Sequence, residues 1–486
     1  MTTRVRVPLL IAGLALIVVV AAGMVAQGQG RPDRTHPPGL APTPELHLPA
    51  IDKRTLSNGV PVWTIEVHEV PLVQVNLVVR AGAAEDPAGK FGVASMTAAM
   101  LDEGAGPRSA LELADAIDFL GADLTTASSF DQGVVRLNTP VAKLQDALAV
   151  MADVALRPTF PDTDLNRLRQ ERLTALLQAR DDVNQLANRA FTKAVFGSGH
   201  RYSVGINGVE ATLKAMTVAD LKAFHAALYQ PSNATLLVVG DIKAADAVAA
   251  LEKQFGGWKA AGPVRRAAIP TVAQPANRQV YIVDKPGAAQ SQIRIGAVGV
   301  ARSTPDYFPI EVLNTILGGS FSSRLNLNLR EEHGYTYGAS SDFDMRASPG
   351  PFLAAAGVQT DKTADALREF FKELDGIRQP VPAEELGRAK NYVALGFPSA
   401  FETTSDLAQR LETLIVYGLT EQFFQTYVAN MQAVTADAVQ KAAAKYIVPD
   451  RFVVVVAGDR AAIEPAIRAL NLGPVTVLTV DQAFTP

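Results

Sequence analysis

No cysteine occurs in the 486 residues, which excludes disulfides, thiol nucleophiles, iron–sulfur ligation and every cysteine-based zinc site. Histidine is scarce as well. The six are His36, His47, His68, His200, His225 and His333, and no two have a metal-ligand spacing. Charge of one sign is not concentrated anywhere: 45 Lys and Arg stand against 49 Asp and Glu, scattered rather than blocked, so nothing in the charge pattern favours nucleic acid. Neither G-x-S-x-G nor a phosphate-binding loop is present, since "LGGSFSS" lacks the following Lys.

What is there suits a globular chain of two or more domains, with 48% hydrophobic residues. Arg4 and Arg6 precede an apolar run from Pro8 to Ala26, followed by a polar stretch rich in Pro and Gly. Residues 1–26 therefore read as a signal peptide or signal anchor, with Val20-Ala21-Ala22 an acceptable cleavage site, and residues 27–50 as a flexible spacer. Either reading puts the body outside the cytoplasm, in the periplasm. An uncleaved segment 8–26 would anchor it in the inner membrane.

An internal repeat organises that body. "MTVADLKAFHAALYQPSNATLLVVGD" (Met216 to Asp241) and "VTADAVQKAAAKYIVPDRFVVVVAGD" (Val434 to Asp459) align without a gap and share Thr217 with Thr435, Ala226 with Ala444, Pro231 with Pro449 and Gly240-Asp241 with Gly458-Asp459. Each predicts a Thr-capped helix, a proline stop and a buried strand ended by a Gly-Asp turn. Strands at "VQVNLVVRAG" and "SQIRIGAVGV", hairpins over 122–138 and 335–359, and helices over 141–155, 162–179, 307–317, 363–374 and 383–395 recur in the same order. The expected fold is α+β: two homologous α/β sandwich domains, each a mainly antiparallel sheet covered by helices, at 51–261 and 278–472. The linker is 262–277 and the tail 473–486.

"LGGSFSSRLNLNLREEHGYTYG" (Leu317 to Gly338) resembles the pitrilysin/insulinase family of zinc peptidases and processing-peptidase subunits, with its Gly-Gly turn, Ser-Ser-Arg-Leu helix start and Arg-Glu-x-x-Gly-x-x-Tyr passage into a strand. The resemblance spans nearly the whole body, including "LNRLRQERLTALLQARDD" and both Gly-Asp strand ends. Active members carry H-x-x-E-H on the first-domain helix, two His as zinc ligands and Glu as general base. The resemblance aligns Ser95, Met96, Thr97, Ala98 and Ala99 of "FGVASMTAAMLDEGAG" with that motif, and puts the distal acidic ligand near Leu177 or Gln178. Ser95, Ala98 and Ala99 are thus degenerate motif positions, and no metal or other cofactor is expected in this chain. Asp102 and Glu103 read as a solvated helix end, and His200 with Tyr202 as surface residues of a loop.

Arg330 and Tyr337 survive as candidate catalytic groups. In two-part enzymes of the family an Arg and a Tyr at this spacing reach the partner's zinc site and assist the tetrahedral intermediate, a role that suits a guanidinium and a phenol as donors. The plainer alternative pairs Arg330 with Glu331 or Glu332 and packs Tyr337 in the sheet, with Tyr335 facing the same side as Tyr337. Gly318, Gly319 and Ser320 form either a turn before a helix capped by Ser322 or Ser323, or a loop touching peptide substrate. The expectation is a zinc-free subunit of a heterodimeric metallopeptidase whose H-x-x-E-H partner holds zinc and base. The alternative is a catalytically dead structural or peptide-binding member of the family. An independent peptidase with a rearranged zinc site conflicts with these residues.

Overall fold

The computed structural model describes Thr35, residues 48–266 and residues 268–485. The expected signal or anchor at 1–26 and most of the spacer at 27–50 lie outside the described residues, as do His36 and His47. Among the described residues no helix is long and apolar enough to cross a membrane.

Among the described residues fourteen strands form in chain order: β1 (Asp52–Thr55), β2 (Pro61–Glu66), β3 (Leu72–Val79), β4 (Gly104–Ala105), β5 (Arg108–Ser109), β6 (Asp123–Ser128), β7 (Gly133–Pro140), β8 (Ala234–Gly240), β9 (Gln279–Asp284), β10 (Gln290–Val298), β11 (Thr336–Phe343), β12 (Pro351–Gln359), β13 (Val453–Gly458) and β14 (Val475–Leu478). Two six-stranded sheets result, ordered β1-β2-β8-β3-β7-β6 and β14-β9-β13-β10-β12-β11. Their pairing repeats: β2 and β8 are parallel like β9 and β13, while β3 and β10 run antiparallel to both of their neighbours. Only the outermost strands differ, since β1 is antiparallel to β2 whereas β14 is parallel to β9. The fold is thus two α+β units with mixed, mainly antiparallel sheets covered by helices.

The two apolar repeat strands β8 and β13, and β3, which buries Gln74 and Asn76 among its valines and leucines, take central places because both of their faces are covered. Thr217 and Thr435 cap their helices as their chemistry dictates, accepting from the backbone N–H of Asp220 and Ala438. Gly240 and Gly458 end equivalent strands, where each passes close to the start of its antiparallel neighbour. A Cβ on Gly240 would collide with the Leu72 carbonyl, and one on Gly458 would sit 2.7 Å from Ser291 Oγ.

The two halves exchange helices, which the repeat did not foretell. Helix Val183–Phe196, from the first half, lies on the second sheet, where Asn184 and Asn188 accept hydrogen bonds from Arg294 of β10, the Asn188 bond at 2.7 Å. Helix Thr404–Tyr417, from the second half, covers the first sheet: Leu407, Ala408, Leu411 and Leu414 pack with Ile65, Val78, Val134, Leu237 and Val239. At the centre of that contact Glu412 is buried and accepts from Arg136 Nε and Nη2 at 2.8 and 2.7 Å, from Asn76 at 2.7 Å and from Gln132 at 3.0 Å. The described residues 48–266 and 268–485 accordingly belong to one compact unit.

Candidate functional site

"FGVASMTAAMLDEGAG" folds as a short helix, Val93–Ala99, entered through Gly92 at φ 94° and pressed against the first core by Val93, Ala94, Met96 and Met100. It ends sooner than the sequence suggests, so Asp102 and Glu103 lie in the following bend rather than on the helix. Neither is a freely solvated acid, contrary to expectation. Burial raises the Asp102 carboxyl above its usual range, and Glu103 pairs with Arg167 at 2.5 Å.

The degenerate motif positions are tied into this fold by other chemistry. Ser95 Oγ donates to Asn207 Oδ1 at 2.8 Å, and Arg172 Nη2 donates to the Ser95 carbonyl at 3.0 Å. Ala98 is buried and Ala99 half-buried, and Leu177 and Gln178 are exposed on helix Asp162–Ala179. Two methyl groups, a hydroxyl already engaged and a guanidinium do not make a donor set for zinc, because the ligands must offer lone pairs and a cation repels the ion. Zinc does not fit these residues. Among the described residues no group of three or more His, Asp and Glu is placed to hold a metal.

Arg172 puts a positive charge beside Ser95. Burial pulls its guanidinium down to about 10, which leaves it a cation at neutral pH. Asp86, buried nearby, accepts the backbone N–H of Gly92 and Ala94 at 2.6 and 2.8 Å and so fixes the entry to the Ser95 helix. The sequence carried Arg172 in plain view, but its contact with Ser95 and that of Asn207, 112 residues beyond Ser95, exist only through the fold.

Each described histidine has a local partner. His68 Nδ1 lies 2.7 Å from Asp241 Oδ1, His225 Nε2 lies 2.9 Å from the Ala155 carbonyl, and His333 stacks on Tyr335. His200 and Tyr202 are buried rather than surface loop residues: His200 accepts from the Tyr202 backbone N–H at 3.0 Å and stacks on Phe196.

The second candidate cluster begins where helix Tyr307–Leu317 ends at Gly318. A Cβ there would run into the backbone N of Ser341 on β11, and one on Gly319 would lie 2.8 Å from Asn314 Nδ2. The turn therefore needs both glycines for close approach, and Ser320 Oγ donates back to the Thr315 carbonyl at 3.1 Å. Neither Ser322 nor Ser323 supplies a side-chain cap to the short helix Arg324–Asn326. Leu327–Glu332 then widens into a π-helical turn carrying Arg330. Arg330 Nε sits 3.3 Å from Glu331 Oε1, and its guanidinium lies 4.8 Å from the Phe321 ring centre. Tyr337 is the second residue of the edge strand β11 and is 90% exposed. Tyr335 does not share its side. It precedes β11 and packs partly buried against the second core, while Tyr337 falls within the irregular step between Thr336 and Ala339.

Two six-stranded sheets in this repeated order, crossed by exchanged helices, define a repeated two-unit α+β fold. Residues 62–203 match the Insulinase (Peptidase family M16) family and residues 215–393 match the Peptidase M16 inactive domain, and the chain belongs to that family. It is 26% identical over 411 residues to an uncharacterized zinc protease of Mycobacterium bovis, covering 84% of this chain and 92% of that protein. It is 24% identical over 403 residues to a zinc protease of Helicobacter pylori, covering 80% and 90%. The crystal structure of a peptidase M16 inactive domain from Pseudomonas fluorescens superposes with a TM-score of 0.79 at 28% identity, covering 85% of this chain and 99% of that one. A protease from Helicobacter pylori shares the fold with a TM-score of 0.76 at 23% identity, covering 85% and 100%.

Proposed function

We propose that this peptidase-like chain is the zinc-free subunit of a two-part peptidase, lending Arg330 and Tyr337 to a homologous partner that carries H-x-x-E-H. The observation that carries this reading is the presentation of Tyr337. A phenol 90% exposed on an edge strand, beside an irregular step and with no hydrogen bond among the described residues, has no packing role. Arg330 is partly exposed close by in sequence, held by a carboxylate and a ring that an incoming anion could displace. Facing the partner's site, both side chains would donate to the oxygen that gains charge as a peptide bond is attacked, where exclusion of water strengthens them. Gly318, Gly319 and Ser320 would border the extended peptide. The zinc and the general base belong to the partner, and the complex works outside the cytoplasm, tethered through residues 8–26 where the leader is retained.

The test is co-purification from the native source, with zinc analysis of what accompanies the chain, followed by reconstitution. A homologue bearing H-x-x-E-H and zinc-dependent peptide cleavage by the pair are the expected results. The second reading, a structural or peptide-binding protein, draws on the Arg330–Glu331 pair, which could hold Arg330 at the surface without chemistry. A chain that isolates with no such partner would select it.

A further inference from the structure

Near the Ser95 helix, helices Asp162–Ala179 and Val183–Phe196 border a half-open cavity of about 360 Å³. Arg172 enters its wall from one helix and Arg189 from the other. Among the described residues the hydrogen bonds of these two guanidiniums reduce to Arg172 Nη2 on the Ser95 carbonyl, and the charge of Arg172 is also met by the nearby Asp86 carboxylate. Arg172 Nη1 and Arg189 Nε are shielded from solvent without any hydrogen-bond partner, and the Arg189 guanidinium merely rests 4.6 Å from the Phe484 ring centre. Both guanidiniums border the same cavity, and two cationic forks beside one partly apolar space point to an anionic ligand.

The remaining lining narrows the chemistry. Gln178, Gln185 and Asn207 bring neutral amides, and Ala175, Leu176, Ala179 and Leu213 bring an aliphatic surface. The one carboxylate of the lining, Asp182, caps its own helix through the N–H groups of Asn184 and Gln185 and opposes a multiply charged anion. A second cavity of about 330 Å³ shares Leu176 and Arg189 with the first. Its Glu210 is held by Lys214 at 2.6 Å and Arg180 at 3.7 Å and pairs with neither Arg172 nor Arg189.

We infer that the cavity is a binding site for a singly charged carboxylate with an aliphatic side chain, the C-terminal residue of a peptide. The two guanidiniums bind the carboxylate and the alanine–leucine wall takes the side chain. The site belongs to this chain alone and does not depend on a catalytic partner.

Calorimetric titration of the purified full chain with acetyl-Ala-Leu tests this against acetyl-Ala-Leu amide and inorganic phosphate. Saturable binding of the free acid is expected, at least ten-fold tighter than the amide, with phosphate failing to compete. Arg189→Gln should weaken the acid about ten-fold while leaving the melting curve in place, since Arg189 makes no hydrogen bond that the fold would lose. Asp182→Asn keeps the helix cap and removes the opposing charge, so it should tighten binding about two- to five-fold. Equal affinity for acid and amide, indifference to Arg189→Gln, or competition by phosphate at equal strength would each overturn the assignment.

Discussion

Replacing Glu412 by Ala should unfasten the two halves of this protein. Glu412 belongs to the second half in sequence, yet its carboxylate is buried against the first sheet, with a two-pronged bond from Arg136 and further bonds from Asn76 and Gln132. Removing one member of a buried ion pair costs about 3–5 kcal/mol, because the other charge stays behind. Arg136 retains 24% of its side-chain exposure and recovers some water, which favours the low end of that range. Asn76 is fully buried and would keep an unpaired amide, adding about 1 kcal/mol. The sum is about 4 kcal/mol. Glu412→Gln preserves volume and one acceptor, so roughly half that loss is expected.

The assay exploits the chain's two tryptophans, Trp63 on β2 and Trp258 after helix Ala244–Phe255, both in the first half. Their fluorescence during urea unfolding should move to lower denaturant in Glu412→Ala, although residue 412 lies far along the sequence. An unchanged tryptophan transition in that variant would refute the reasoning, and would show two halves that fold independently.

Elemental analysis of the purified chain should find no stoichiometric zinc, since Ser95, Ala98 and Ala99 give the metal no ligand set; one zinc per chain, lost on mutating the Ser95 helix, would contradict this. In the reconstituted pair, Arg330→Ala and Tyr337→Phe should each lower turnover about ten-fold or more without dissolving the complex, with Tyr335→Phe nearly silent, because an oxyanion donor is worth about a hundred- to a thousand-fold at most. Gly318→Ala should lower stability by about 1–3 kcal/mol in a melting experiment, since its methyl group would meet the β11 backbone at Ser341. Burial, reinforced by Asp342, raises the Glu311 carboxyl to about 7. The fold therefore favours its neutral form, and its contribution is complete below about pH 4.5 and disappears as pH rises through about 7. Glu311→Gln should flatten the stability profile between pH 5 and 8, by about 2 kcal/mol over that window, and a profile identical to the parent would argue against the shift.

Local signals fixed much of this molecule. Thr217 and Thr435 cap helices because a hydroxyl next to an amphipathic run satisfies free N–H groups wherever it occurs. Helices Asp162–Ala179 and Tyr307–Leu317 and both hairpins fall where periodicity puts them, and Gly240 and Gly458 mark equivalent strand ends because both repeats need close backbone approach there. The missing H-x-x-E-H is equally a property of the sequence. Tertiary structure alone decided the rest. No local pattern shows that Tyr335 and Tyr337 part company, since Tyr335 precedes β11 and the irregular step that holds Tyr337 depends on pairing with β12. Nor does any local pattern assign helix Thr404–Tyr417 to the sheet of the other half, bring Arg172 and Asn207 to Ser95, or set Arg189 across a cavity from Arg172. Those relations join residues far apart in the chain, and only the packing of one element on another determines them.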